Sequence, residues 1–282
     1  MANSRFAYVR TYELPDPMLP GTFPIFRLDG HSFHRFSDVH GFAKPNDPRA
    51  LQLMDRAARE LMAEYPDIVL AFGESDEYSF LLRKQTTLYN RRQTKIVSTL
   101  TSYFTSCYVF HWSTYFPDTP LTYPPSFDGR IVLYPSEREV RDYFAWRQAD
   151  THINNLYNTA FWALVQQGGE TTTQAHATLR GTVSKEKHEI LFSRFKINYN
   201  DIDERFKKGS VLVREEVKNL LGDKQQQEPQ SQPILQMPKQ GTASKREKKR
   251  KAAVNPPTKI ELLHCDIIKD TFWEMRPLLH LS

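Results

Sequence analysis

The chain has 282 residues and 33.0 kDa, with 38 Lys and Arg against 33 Asp and Glu, a net charge of +5 and a pI near 9.0. That length makes one large domain or two small ones with a real core, and 39% hydrophobic with 25% charged residues excludes wholesale disorder. Two cysteines, Cys107 and Cys265, exclude a disulfide scaffold and point to a reducing compartment; no apolar run reaches the ~20 residues of a membrane span, and Met1–Arg10 lacks the apolar core of a signal peptide.

Pro24-Ile-Phe-Arg-Leu-Asp29-Gly30 reads as a buried strand ending in a turn. A helix starts at Pro48 behind an Asp47 N-cap, with Leu51, Met54, Ala58, Leu61 and Met62 on one face. Ile68–Phe72 and Tyr78–Leu82 are two strands joined by the polar turn Gly73–Glu77, hence a hairpin. A long helix follows, with Ile96, Leu100, Phe104, Cys107 and His111 on one stripe, and then a strand over Arg130–Tyr134. The order β-α-β-β-α-β is the split βαβ, ferredoxin-like arrangement: helices on one face of a four-stranded antiparallel sheet.

Ser136 and Glu139 have capping-box spacing at the start of another helical stretch. His152–Gln166 and Ser184–Lys196 read as helical and Gly209–Arg214 as a late strand. Residues 222–259 are rich in Gln, Pro and Lys and poor in large apolar side chains, so they read as a flexible insert. Apolar residues resume at Ile260, Leu262, Leu263, Ile267, Ile268, Phe272 and Trp273 with helical spacing, which predicts a C-terminal helix packed on the body. The division expected is the split βαβ domain over 1–135, a helical extension packed on it over 136–221, the flexible insert over 222–259 and the C-terminal helix over 260–282.

The charge is unevenly placed. Pro238–Lys251 holds seven Lys and Arg against Glu247 alone, a local +6, so the rest of the chain nets −1. The lysine run is either a nuclear-localisation or nucleic-acid tether or a solvated charge block. Two segments of the body are also basic: Arg83–Lys95 with a local +5 and Arg180–Lys196 with a local +3. Such patches contact phosphate, and base contacts set specificity. His152, Asn155, Lys187 and Arg92 are the candidates for holding RNA.

Two acidic features fall at one edge of the expected sheet. Asp29 ends the first strand, and Asp76-Glu77 lies in the hairpin turn beside it. Hard divalent cations such as Mg²⁺ take oxygen ligands and keep waters for substrate phosphates. Two carboxylates and a backbone carbonyl therefore suit two-metal phosphoryl or nucleotidyl transfer. Gly30 lets backbone approach a ligand, and His31-Ser-Phe-His34 after it would present N–H groups to a triphosphate. Lys44 and Lys95 are candidate phosphate partners. Asp and Gly are also ordinary turn residues, so on pattern alone a nucleotidyltransferase, a nucleotide cyclase and a non-catalytic RNA-binding protein stay open.

Phe26-Arg-Leu-Asp-Gly30, His34-Arg-Phe36, Phe42-Ala-Lys-Pro-Asn-Asp47, Ser75-Asp-Glu-Tyr-Ser-Phe80, Phe127-Asp-Gly-Arg130 and His152-Ile-Asn-Asn-Leu-Tyr-Asn-Thr159 together resemble the tRNA-His guanylyltransferase family of eukaryotic type. The resemblance runs to about Val213 and returns near the C-terminus; residues 222–259 fall outside it. It implies a polymerase-type palm domain and addition of one guanylate to the 5′ end of tRNA-His. ATP first adenylylates the RNA, the GTP 3′-hydroxyl then displaces AMP, and pyrophosphate is removed last. It further implies that Asp29, the Gly30 carbonyl and Asp76 hold two Mg²⁺, with Glu77 in support. The nucleotide would be bound by Asp29, Gly30, His31, Ser32, Phe33, His34, Ser75 and Asp76, with Lys44 and Lys95 beside them. A homotetramer, a dimer of dimers, in cytoplasm or nucleus completes the expectation.

Overall fold

The computed structural model describes residues 4–216, 258–276 and 279. The expected insert, 222–259, and its lysine run lie almost entirely outside the described residues. Of the described residues, 4–214 and 260–276 belong to one compact unit.

Six strands form one sheet: β1 (Phe23–Gly30), β2 (Ile68–Glu74), β3 (Glu77–Leu82), β4 (Phe127–Tyr134), β5 (Ser210–Glu216) and β6 (Thr258–Leu263), in the order β4-β1-β3-β2-β5-β6. β1 pairs antiparallel with β3 and β4, and β2 pairs antiparallel with β3 and β5. β3 is buried along its whole length and β2 up to Glu74, which is why both read as unbroken apolar runs rather than alternating ones.

Helices α2 (Pro48–Glu64) and α3 (Gln93–Tyr115) cover one face, where Leu53, Ala57, Leu61, Leu100 and Phe104 meet Phe26, Leu28 and Phe80. Asp47 caps α2 as expected, accepting from the Arg49 amide at 2.9 Å. Leu51 is only half-buried, and Leu53 and Ala57 lie in the core. In α3 the buried stripe continues to Tyr108 and Trp112 rather than Cys107 and His111. Those two rings fill space among Phe33, Phe36 and Phe42 that a thiol would leave open.

The opposite face is covered as well, by the helical extension that was expected to pack on the four-stranded domain without its face being specified. Helix α4 (Glu137–Gln166) lays Val140, Tyr143 and Phe144 against Ile25, Phe72 and Leu81. Its 30 residues make one rod about 45 Å long. The far half packs through Leu156, Ala160 and Leu164 on α5 (Thr172–Leu179) and α6 (Ser184–Phe195). A short α7 (Glu204–Lys208) leads into β5.

The C-terminal helix expected over 260–282 is not formed as such. Among the described residues there, Thr258–Leu263 is a strand and Asp270–Glu274, α8, is an α-helix. The reason is a period of two. Ile260 and Leu262 pack towards the α2–α3 side of the sheet and Leu263 towards the α4 side. Arg59 donates to the Ile260 carbonyl at 2.7 Å. A short α1 (Phe33–Val39) also replaces the open turn expected after Gly30.

Candidate active site

The end of β1 and the β2–β3 turn meet, as the split βαβ order predicts. Asp29 stands opposite Glu77 in the β1–β3 register, and the Gly30 amide donates to the Asp76 carbonyl at 3.1 Å. Ser75, at φ +49°, takes the left-handed conformation that makes the turn sharp. Its hydroxyl donates to Asp76 Oδ1 at 2.9 Å. Gly30 is required by close approach: a Cβ there would lie 2.8 Å from Asp76 Oδ2 and 2.4 Å from the Phe33 ring.

Burial pushes the Asp76 carboxyl up, and the neighbouring Asp29 charge adds to it, against the Ser75 bond and His34. Among the described residues no Lys or Arg pairs with Asp76, and Asp29 meets only Arg27, at 3.3 Å through Oδ2. Two carboxylates held together with so little compensation are a donor set for a hard cation. Among the described residues no group of three or more His, Cys, Asp or Glu side chains is arranged to hold a metal ion by itself. A metal here would draw its remaining ligands from the Gly30 carbonyl, waters and substrate phosphates.

Glu77 does not face this pair as a free ligand. It is gripped by Arg27 at 2.6 Å and by Arg147 at 2.7 Å and 3.1 Å. Arg147 reaches it from α4 and also binds Glu74 at 2.5 Å and Asp150 at 3.2 Å. Burial pushes the Glu74 carboxyl up to about 7.

A cavity of about 340 Å³ opens beside Asp76. It brings together Phe33, His34, Lys44, Ser75 and Asp76 from the expected nucleotide set. Lys44 is held at 3.0 Å by both Asp38 and the Ser37 hydroxyl, and a phosphate would have to exchange for Asp38. The far wall is Tyr157, Asn158, Phe161 and Trp162 of α4 with His176 of α5. Sequence reading missed these, although the motif running on from His152 passes through Tyr157 and Asn158.

Other expected residues lie elsewhere. The His31 amide is already spent on the Ser126 carbonyl at 2.8 Å, and the Gly30 amide on Asp76. Donors free for a phosphate therefore begin at Ser32. Lys95 is exposed near the start of α3, with Nζ 5.0 Å from the Tyr89 ring. Tyr108, which lines the cavity, is about 20 Å further along that helix. Within this chain Lys95 is thus not brought to the nucleotide set. Arg92 is half exposed and paired with Asp16 at 3.2 Å.

Asn155 is not a surface contact. It is 6% exposed, accepts from Asn46 at 2.9 Å and donates to the Tyr199 hydroxyl at 2.9 Å. Both ends of its amide are used in joining α4 to its neighbours. Lys187 donates to the Thr182 carbonyl at 2.6 Å. His152 lines a second cavity, about 480 Å³, with His188, Tyr199, Lys207 and Lys208. Burial, His188 and Lys207 lower its pKa.

Comparison with known proteins bears on what this arrangement belongs to. A family model described as tRNAHis guanylyltransferase matches residues 6–135, and one described as the Thg1 C-terminal domain matches residues 138–269. A Neurospora crassa protein named tRNA(His) guanylyltransferase is 50% identical over 281 residues, 99% of this chain and 96% of that protein. The crystal structure of tRNA(His) guanylyltransferase from Saccharomyces cerevisiae matches with a TM-score of 0.72 at 50% identity, covering 74% of this chain and 93% of that one. A bacterial tRNA(His) guanylyltransferase-like protein solved with ATP matches with a TM-score of 0.61 at 27% identity, covering 73% and 85%. By sequence across almost its full length, and by fold, this chain belongs to the tRNA(His) guanylyltransferase family.

Proposed function

We propose that the protein adds a guanylate to the 5′ end of tRNA-His, using ATP and GTP as substrates. The observation that carries the reading is the meeting of Asp29, at the end of β1, with Asp76, which lines a nucleotide-sized cavity. The 5′-phosphate of the RNA attacks the α-phosphorus of ATP and releases pyrophosphate. The GTP 3′-hydroxyl then attacks the adenylylated 5′-phosphorus and AMP leaves. Hydrolysis removes pyrophosphate from the new terminus. The bacterial relative solved with ATP supports the first of these substrates.

Asp29, the Gly30 carbonyl and Asp76 would hold Mg²⁺, two ions in this reading. Bound there, the metal lowers the pKa of an attacking hydroxyl and neutralises charge on phosphate. The chain's own residues do the positioning. Ser75 orients Asp76, and His34 and Lys44 offer positive or donor groups beside it. Phe161 and Trp162 supply apolar and aromatic wall for a base. Glu77 acts through its arginine partners rather than by touching substrate.

The palm-type, ferredoxin-like reading rests on the β4-β1-β3-β2 order of the first four strands. A nucleotide cyclase has no use for the region matched over residues 138–269, which favours the transferase. His152 on its cavity, Lys187 and Arg92 remain the proposed tRNA contacts, and Asn155 is withdrawn from that set. A homotetramer belongs to the same proposal, and Tyr12 and Leu14, 78% and 87% exposed, are apolar surface that an assembly would cover.

The test is to incubate the protein with 5′-monophosphorylated tRNA-His, ATP, GTP and Mg²⁺. The RNA should lengthen by one nucleotide. Absence of product, or product unchanged in Asp29→Ala and Asp76→Ala, refutes the assignment.

A further inference from the structure

The strongest feature outside the cavity is a buried ladder of charge running from α4 to the catalytic edge. Arg147, 6% exposed at its side chain, grips Glu77 through Nε and Nη2 and Glu74 through Nη2. Glu77 in turn holds Arg27 at 2.6 Å, and the same Arg27 nitrogen reaches Asp29 Oδ2 at 3.3 Å. The order is therefore Arg147, Glu77, Arg27, Asp29, each step an ion pair. Asp29 Oδ1 makes no contact of its own among the described residues.

We propose that Arg147 is a positioning residue for nucleotidyl transfer, acting through Glu77 and Arg27 to set how Asp29 is presented. The physical reason is a competition. Arg27 has one nitrogen between two carboxylates, and it sits closer to Glu77 because Glu77 is fixed from behind. That leaves Asp29 only weakly engaged, with an oxygen open. With Glu77 loose, Arg27 is free to close fully on either acid, and the carboxylate pair beside it loses its fixed spacing. A guanidinium is needed because its planar fork binds two acids at set angles, which an ammonium cannot copy.

The arrangement also assigns a purpose to α4. One rigid helix carries Arg147 against the catalytic edge, Tyr157 and Trp162 on the nucleotide cavity and His152 on the second cavity. Occupancy of either cavity is thus mechanically close to the group that sets Asp29.

This inference rests on the proposed function, and its test separates the two. Arg147→Lys keeps the charge and loses the fork. At saturating tRNA, ATP and GTP its kcat should fall at least 30-fold, with both nucleotide KM values within twofold of the parent. Lys44→Ala, on the cavity wall, should instead raise a nucleotide KM. Mn²⁺ binding to the protein without substrates, read by electron paramagnetic resonance, should weaken at least fivefold in Arg147→Lys. An unchanged kcat and Mn²⁺ affinity, a change confined to KM, or an Arg147→Lys chain that does not fold would each overturn the proposal. An inactive parent would instead refute the function, leaving the Mn²⁺ comparison to decide the positioning.

Discussion

Gly30→Ala is the sharpest test of the site's geometry. The added Cβ would lie 2.4 Å and 2.7 Å from two atoms of the Phe33 ring and 2.8 Å from Asp76 Oδ2. Real Cβ contacts do not come that close, so something moves. Phe33 has little freedom, its ring centroid lying 4.8 Å from that of Phe36, stacked, and 4.9 Å from that of Phe127, tilted. Overpacking of this kind costs about 1–3 kcal/mol, which lowers Tm by roughly 2–10 °C in a chain of this size. The other atom that can yield is the Asp76 carboxylate. A catalytic group displaced by about 1 Å costs on the order of 100-fold in rate. Gly21→Ala is the control: its φ of +74° strains any side chain, but nothing lies within 4 Å. It should cost about 1–2 kcal/mol and leave kcat unchanged. Thermal melts and single-turnover assays of both variants decide the matter. A Gly30→Ala enzyme with parental Tm and kcat would show that the close approach of strand, ring and carboxylate is wrong.

Three further outcomes follow from buried polar groups. Asp55 accepts from the Tyr78 hydroxyl at 2.8 Å and pairs with Arg205 at 2.7 Å, so Asp55→Ala strands a largely buried guanidinium and should cost about 3–5 kcal/mol in urea unfolding; Tyr78→Phe should cost about 1 kcal/mol, and equal losses would contradict the pairing. His152 titrates below its usual 6.5; because the unfolded chain binds the proton more readily, stability should fall as pH drops below 6.5, less so in His152→Gln, and Lys207→Ala should raise the imidazole pKa followed by NMR. Asn155→Ala should lose about 1–3 kcal/mol by removing the acceptor of the Asn46 amide and the donor to the Tyr199 hydroxyl, whereas normal stability with tRNA binding abolished would restore Asn155 to the RNA surface.

Strands β1 to β4 and helices α2 and α3 were legible because each carries its own local signal, an unbroken apolar run for the buried strands or an apolar stripe at helical spacing. The Asp47-Pro48 cap and the apolar Ile68–Phe72 run are examples. β6 was not legible. Ile260, Leu262 and Leu263 fit a helical face about as well as a two-sided strand, and only β5, a distant partner in sequence, decides between them. The meeting of Asp29 and Asp76 was legible for a different reason. It needs no knowledge of side-chain packing, only the order of strands and the position of a turn. The wall formed by Tyr157, Asn158 and Phe161 required knowing that α4 is a single rod whose far half reaches the segment before α2, where Asn46 donates to Asn155, and no local pattern says so.

Arginine is the residue whose role a charge count shows least, because a segment sum does not say which guanidinium faces inward. Arg91, inside the +5 segment, instead donates to the carbonyls of Leu19 and Lys84 at 2.7 Å and 3.0 Å, tying the N-terminal segment to the β3–α3 loop. Arg214 is buried and donates to the carbonyls of Ile68 and Met62. Arg205 neutralises Asp55, and Arg27 and Arg147 stand against Glu74, Glu77 and Asp29. A planar group with five donors is suited to such interior work, because it satisfies several acceptors at once for one desolvation. The basic residues left to meet RNA are consequently fewer than the segment sums suggest. Those inside hold Glu74, Glu77 and Asp55 in place, leaving at the catalytic edge Asp76, which among the described residues pairs with no Lys or Arg, beside Asp29, which Arg27 reaches only at 3.3 Å.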